Sequence, residues 1–189
     1  LIRVGGDRFG GPVKAAVLEA LSALLEVAPK LVKAFVPQLQ ATFAKALRDP
    51  ALEVRRNGVT ALGLLAPLST RLDALVTDLS SGATADDAPD AVAAACLKGL
   101  AAVFGNATGP KPPSDASRDA AREAAEALAG HEDPEVSKAA AALSGVLGEY
   151  IRMVLRVAPS LTSRGGSRRS ARRAVYDVGC RRAVAGLHR

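Results

Sequence analysis

The residue types most often used in catalysis are scarce and scattered in this sequence. It has two histidines, His131 and His188, and two cysteines, Cys96 and Cys180, but no CxxC, HExxH or GxSxG motif. A cysteine or serine nucleophile needs a neighbouring base, and His131 falls in a predicted surface turn, GHEDP. The carboxylates fall on predicted outer helix faces rather than converging in a cleft, as acid–base catalysis requires. The sequence therefore predicts a non-catalytic protein with no metal and no cofactor.

The positive charge of the sequence is confined to its C-terminal end. The formal net charge is +6, yet residues 164–189 hold eight arginines and one acidic residue, Asp177, so the remainder is near neutral. Such like-charge blocks are typical of disordered segments, although arginine pairs also neutralise nucleic-acid phosphates. The sequence predicts two regions: a helical array over residues 1–158 and a basic, disordered tail over residues 159–189. Weak, non-specific RNA binding is the alternative role of that tail.

The elements that would position any functional side chain are amphipathic helices. Residues 35–67 predict two helices joined by a tight turn at Asp49-Pro50. The first has apolar residues at every fourth position, and these share one face: Phe35, Leu39, Phe43 and Leu47. The second is expected to bury Val54, Ala61, Leu62, Leu64 and Leu65. A lone helix pair cannot bury its apolar faces, so neighbours of the same kind are expected.

Those neighbours appear as an internal repeat. A valine just inside a predicted helix start recurs at Val13, Val54, Val92 and Val136, at intervals of 41, 38 and 44 residues. Each begins an alanine- and leucine-rich segment, and a period of about 40–47 residues is typical of HEAT-type two-helix units. The sequence thus predicts an all-α HEAT-type superhelix of about seven helices. It contains no apolar run long enough for a membrane span, which needs about 18 residues.

Several local features are also predicted. A first helix, Pro12 to about Val27, is expected to bury a stripe of Val13, Val17, Leu21, Leu24 and Ala28. A short helix over residues 71–79 is followed by a breaker-rich turn over residues 80–90. Either Asp87 or Asp90 is expected to cap the next helix. The proline-rich residues 105–114 predict an exposed loop.

The last two predicted helices differ in the strength of their apolar faces. A weak helix after residue 114 is expected to bury Ala120, Ala124, Ala127 and Leu128. A long helix from Pro134 to about Val157 is expected to bury Val136, Leu143, Val146, Leu147, Ile151 and either Val154 or Leu155. Cys96 is expected to be a small buried residue.

One charged set has the spacing of a structural ladder. Asp49 and Arg55 lie on either side of the predicted turn, and Lys14 stands at the position of Arg55 in the first helix. In the next unit Ala93 replaces the cation, so the ladder is incomplete. Packing rather than ion pairs is expected to hold the stack, since exposed pairs contribute only about 0–1 kcal/mol each.

Three segments carry a more specific resemblance: LIRVGGDRF, VKAAVLEALSALL and FVPQLQATFAKALRD. They resemble the C-terminal HEAT region of the very large general-control translational activators. The resemblance is close over residues 1–79, looser to about residue 155 and absent from the tail. The sequence departs from the family in the loop at residues 105–114 and in its ending, and it is interpreted as a fragment of a longer array.

The resemblance implies a cytoplasmic scaffold with two partners. That family binds ribosomes, and its C-terminal HEAT region binds the RWD domain of the kinase that phosphorylates initiation factor 2. Within the matching segments, the polar residues that a helical pattern leaves exposed are the candidates for protein binding: Arg8, Lys14, Gln38, Gln40, Lys45, Arg55 and Arg56. Two other functions stay open, a generic HEAT adaptor of the transport or phosphatase-scaffold type and an RNA or ribosome binder acting through the arginine-rich tail.

Overall fold

The computed structural model describes residues 9–109 and 111–157, with side chains up to residue 154. The predicted tail, residues 159–189, and the candidate Arg8 lie outside the described residues. Every regular element within them is helical. Besides the four-residue turn Pro29–Val32, the α-helices are α1 Gly11–Val27, α2 Val36–Ala46, α3 Leu52–Leu65, α4 Leu72–Ala83, α5 Asp90–Gly105, α6 Asp115–Ala127 and α7 Pro134–Val157. The prediction of an all-α array of about seven helices is confirmed.

The helices form two layers. In the inner layer α1, α3, α5 and α7 pack side by side in chain order. In the outer layer α2, α4 and α6 each pack on the inner helix that follows them. The four repeated valines are each the third residue of an inner helix, so the predicted repeat phase is confirmed. None of the described helices is both long and apolar enough to cross a membrane.

The core lies between the two layers. Leu39, Phe43 and Leu47 are at most 2% exposed, as their spacing predicted, and they belong to one buried cluster with Leu62 and other leucines of the inner helices. Burying such a side chain contributes about 1.5–3 kcal/mol. Cys96 is fully buried as predicted, and burial raises the pKa of its thiol to about 11. Cys96 is therefore a packing residue rather than a nucleophile.

Leucines from both layers can approach α5 closely because of one glycine in that helix. A Cβ atom at Gly99 would lie 2.9 Å from Leu47 Cδ1 and 3.5 Å from Leu62 Cδ1. Real Cβ atoms are not found at the shorter distance, so the absence of a side chain lets leucines of α2 and α3 pack directly on the α5 backbone.

The faces of the first two helices differ from the prediction. α1 buries Val17, Leu18, Leu21 and Leu25, whereas Val13 is 45% and Leu24 39% exposed, and Ala28 is half-buried. The reason is that α3 covers one side of α1, and Val13 and Leu24 lie at the opposite edge of the helical stripe.

Phe35 is 52% exposed. It belongs to a 3-10 turn, Lys33–Phe35, because α2 begins only at Val36. Its predicted place on the buried face was therefore wrong.

The central turns also needed correction. The fourth helix, α4, runs to Ala83, so residues 80–83 continue the helix rather than the predicted turn. The N-cap of α5 is Pro89, with no side-chain cap, and Asp90 is already the first helical residue. Neither Asp87 nor Asp90 acts as the predicted capping side chain.

The proline-rich segment is exposed only in part: Asn106, Lys111 and Ser114 are exposed as predicted, whereas Ala107, Gly109 and Pro113 are buried. Ala107 is 1% exposed, and a Cβ at Gly109 would lie 2.6 Å from the Pro67 carbonyl oxygen. At its other end, Asp73 of α4 accepts hydrogen bonds from Ser114 N–H and Ser117 Oγ, both 2.7 Å. These bonds hold the pKa of Asp73 down to about 2. Backbone contact and an ionised carboxylate thus fasten this segment to the turn before α4 and to α4 itself.

The last helix keeps its predicted extent, whereas α6, predicted over residues 115–130, ends at Ala127. The buried faces of both helices differ in part from the prediction. α6 buries Ser117, Ala121, Ala124 and Ala125, whereas Ala120 and Leu128 are half-buried and Ala127 is exposed. α7 buries Val136, Leu143 and Leu147 as predicted, with Val146 and Val154 half-buried and Ile151 38% exposed. Tyr150 takes the inward place instead. Its ring packs edge-on against Phe104 of α5, with centroids 5.4 Å apart, a favourable aromatic geometry.

Candidate protein-binding surfaces

The turn at Asp49 joins successive repeats. Lys14 Nζ of α1 lies 2.8 Å from Asp49 Oδ2, and the Ala51 N–H donates to Asp49 Oδ1 at 3.0 Å. Burial opposes ionisation of Asp49, but the bonds from Lys14 and Ala51 and the charge of Arg55 outweigh it and lower its pKa. The side chains of Lys14 and Asp49 are only 15% and 9% exposed. This ion pair is the ladder between repeats, and Lys14 rather than Arg55 supplies the cation.

Arg55 instead stabilises the turn itself. Its Nη1 donates to the carbonyl oxygens of Asp49 and Pro50, at 2.8 Å each. Lys14 and Arg55, which hold equivalent positions in successive inner helices, both reach the Asp49 turn. Both side chains are held by structural bonds there, so they are less available to a partner than the helical pattern suggested.

The candidates on α2 lie in the outer layer. Gln38 and Lys45 are exposed. Gln40 is half-buried, because its amide joins α2 to the start of α4: it accepts from Ser69 Oγ at 2.7 Å and donates to the Arg71 carbonyl at 3.2 Å. Gln40 therefore has a structural role that its sequence position did not reveal.

Arg56 lies on a different surface, which we call the inner groove. This depression of about 340 Å³ crosses the first turns of α3, α5 and α7. Its floor includes Val59, Ala91, Ala94 and Ala95, and its rims carry Arg55, Arg56 and Lys98 together with Asp90, Asp133 and Glu135. The stacking of three inner helices brings these side chains together.

The charges at the inner groove are paired but exposed. Arg56 Nη1 lies 3.2 Å from Glu53 Oε1, and Lys98 Nζ lies 2.7 Å from Glu135 Oε2. The bond from Lys98 lowers the pKa of Glu135. About half or more of each of these four side chains is exposed, so solvent screens both pairs and leaves them weak. Carboxylates of a partner can therefore compete for Arg56 and Lys98 at little cost.

Lys98 was missed by sequence reasoning. The only signal was a single lysine within the apolar sequence of α5, and its position beside Glu135 depends on the stacking of α5 on α7. Within the described ranges, no group of three or more histidine, cysteine or acidic residues is arranged to hold a metal ion. His131 lies in its predicted turn, where Nδ1 accepts the Asp133 N–H at 3.1 Å.

Comparisons with known proteins agree with this architecture. A family model for HEAT-like repeats matches residues 11–65, which include α1, α2 and α3. Protein ILITYHIA of Arabidopsis thaliana is 38% identical over 152 residues, which cover 80% of this chain and 6% of that protein. The stalled ribosome sensor GCN1 of Homo sapiens is 47% identical over 89 residues, or 47% of this chain and 3% of that protein. The eIF-2-alpha kinase activator GCN1 of Saccharomyces cerevisiae is 42% identical over 105 residues, or 55% of this chain and 4% of that protein.

The two-layer stack and the family match define the class of the protein, an all-α helical repeat solenoid with HEAT-like repeats. Within that class, the chain contains a GCN1-like HEAT region. It spans 6% or less of the length of each of these relatives.

Proposed function

We propose that this chain is a non-catalytic scaffold segment for translational control, which binds the RWD domain of an initiation factor 2 alpha kinase through its inner groove. Two named relatives support the context, since one is called a stalled ribosome sensor and another a kinase activator. Contact of the parent scaffold with ribosomes and a cytoplasmic location belong to the same proposal.

The observation that carries the proposal is the inner groove itself. A row of stacked helix ends presents an apolar floor beside cations whose ion pairs are exposed. Solenoids bind partners along such extended helical surfaces. Arginine and lysine at the rim can exchange their present partners for carboxylates of another protein, which favours complementary association.

The proposal gives the candidate residues different roles. Arg56 and Lys98 are the principal binding residues, because both are exposed at the groove rim. Arg55 and Lys14 act indirectly by holding the Asp49 turn. The remaining candidates lie on α2, in the outer layer: Gln38, Gln40 and Lys45. They contribute to binding at the inner groove only if the partner also contacts the outer layer.

The test is calorimetric titration of the full chain with the kinase RWD domain. The double variant Arg56→Glu with Lys98→Glu is expected to weaken binding by about tenfold or more, because like charges across an interface repel. Arg56 and Lys98 are preferable to Arg55 for charge reversal, since loss of Arg55 would also release the Asp49 turn.

A matched control is Arg122→Glu, which reverses an exposed cation of the outer helix α6 that pairs with Asp119 at 3.0 Å. Its affinity should equal that of the wild type. If the double variant bound the RWD domain as tightly as the wild type does, the inner groove would not be the binding site. No binding by a fully helical wild type would contradict kinase binding by this segment and leave the generic adaptor as the better description.

A further inference from the structure

The outer layer contains a second groove, between α2 and α4, which we call the outer groove. Its volume is about 360 Å³. Two side-chain bridges cross it. Gln40 joins Ser69 and Arg71 at one end, and Arg48 Nη2 lies 3.0 Å from Asp78 Oδ1 at the other. Both bridges join residues about thirty apart in the chain, so α2 and α4 run in the same direction with the groove between them.

The walls of the outer groove are apolar and made of small side chains. Val36 and Leu75 are buried beneath it, while Ala41 of α2 and Ala74 of α4 are exposed at its surface. Alanine at these facing positions leaves space that a larger side chain would fill. An apolar side chain of a partner can therefore enter between the two helices and be shielded from water.

The charge of the outer groove is asymmetric. Lys33 and Arg71 line it, both are exposed, and neither has an ion-pair partner among the described residues. Towards its other end, Asp78 is already neutralised by Arg48. The unpaired charge of this groove is therefore positive.

We propose that the outer groove binds a peptide segment of a partner protein in which apolar side chains are flanked by carboxylates. The apolar side chains enter beside Ala41 and Ala74, and the carboxylates pair with Lys33 and Arg71. The C-terminal residues of this chain have the wrong charge for that site, because residues 164–189 hold eight arginines and a single acidic residue. Residues 164–189 are therefore not the occupant, and the proposal commits to an acidic segment of a separate partner protein. This surface is distinct from the inner groove and does not depend on the function proposed above.

The experiment selects a phage-displayed random dodecapeptide library on the full chain, with counter-selection on the variant Ala74→Trp, which fills the groove. Enriched peptides are expected to combine leucine, isoleucine or phenylalanine with aspartate or glutamate. Synthetic copies, measured by fluorescence polarisation, should bind Ala74→Trp about tenfold more weakly or worse. They should lose affinity similarly on Lys33→Glu with Arg71→Glu, and more strongly at low salt. The control Ala20→Trp, at an exposed alanine of α1, should bind as the wild type does.

Enrichment of basic peptides, failure to enrich any family, or equal affinity for the charge-reversed variant would overturn the proposal. Self-association that Ala74→Trp abolishes would make a second copy the occupant and would also overturn it. Unchanged helicity and unfolding of each variant are checked first, and the charge-reversed variant keeps the test decisive if the tryptophan perturbs the fold. Ala74→Trp is expected to leave RWD-domain affinity unchanged, so failure here is distinguishable from failure of the inner groove.

Discussion

The two junctions of the outer layer are built differently. Between α4 and α6 the helices pack closely, and Asp73 ties α4 to the start of α6. Between α2 and α4 few residues meet, and two side-chain bridges span the outer groove. The inner layer is continuous beneath both junctions. Packing between the inner helices is therefore sufficient to align the repeats. In the outer layer, the junction between α4 and α6 is closely packed and is called the closed junction. The junction between α2 and α4 contains the outer groove and is called the open junction.

The sequence cause of the difference lies in the segment between the pairs. The closed junction has the residues 105–114, whose Gly109 approaches the Pro67 carbonyl and whose Ser114 reaches Asp73. At the open junction the corresponding segment is residues 66–71, between α3 and α4, whose Ser69 and Arg71 bond to Gln40. An ionised aspartate that accepts two short hydrogen bonds is a stronger clamp than a neutral glutamine.

The largest effect is expected in the shared inner layer, on which both junctions depend. Leu62→Ala, at a side chain only 1% exposed, should lower the free energy of unfolding by ~2–5 kcal/mol. Leu128→Ala should cost less, because Leu128 is half-buried at the end of α6. Urea unfolding of both variants provides the measurement, and the reverse order would show that the inner layer is not the common support.

The closed junction should respond to acid. The pKa of Asp73 is lowered in the folded chain, so the ionised carboxylate stabilises the fold. That stabilisation is complete above the usual aspartate pKa near 4 and is lost as the pH falls towards about 2. Asp73→Asn should destabilise the chain by about 1–2 kcal/mol at neutral pH, less than a fully buried charged hydrogen bond would, since Asp73 is partly exposed. The difference from the wild type should shrink between pH 4 and pH 2, as read from unfolding curves. A constant difference over that interval would argue against the clamp.

The open junction should be weaker. Gln40→Ala removes the neutral bridge to Ser69 and Arg71, and is expected to cost about 0.5–1.5 kcal/mol. Gln38→Ala is the matched control on the same helix and should change stability by less than about 0.5 kcal/mol, as most exposed substitutions do. Equal losses of stability in the two variants would show that the Gln40 bridge does not stabilise this junction.

The smallest effect is expected for the exposed bridge at the other end of the outer groove. Arg48→Ala breaks a pair whose side chains are 45% and 47% exposed, so the loss should stay within about 0–1 kcal/mol and decrease with added salt. A larger, salt-independent loss would mean that packing of the arginine stem, rather than its charge, holds this end.

The sequence was sufficient for the helices and their phase, because periodicity and the repeated valines report local structure and repeat length. It was less reliable where burial depends on a neighbour. Val13, Leu24 and Phe35 satisfy a helical stripe yet are exposed, since no described element covers them. The proline-rich segment was predicted to be an exposed loop, but Ala107 and Gly109 are buried, and Gly109 lies against the Pro67 carbonyl. The exposed position of Arg56 could be predicted from the sequence, whereas the position of Lys98 beside Glu135 depends on the stacking of α5 on α7.

Alanine methyl groups line both grooves, so one methyl spectrum shows which groove the kinase RWD domain contacts. Methyl resonances of an alanine-labelled full chain are followed as the kinase RWD domain is added. Binding through the inner groove should shift the resonances of Ala91, Ala94 and Ala95 and leave those of Ala41, Ala44 and Ala74 in the outer groove unchanged. Shifts confined to the outer-groove methyls, or none at saturating domain, would contradict binding through the inner groove.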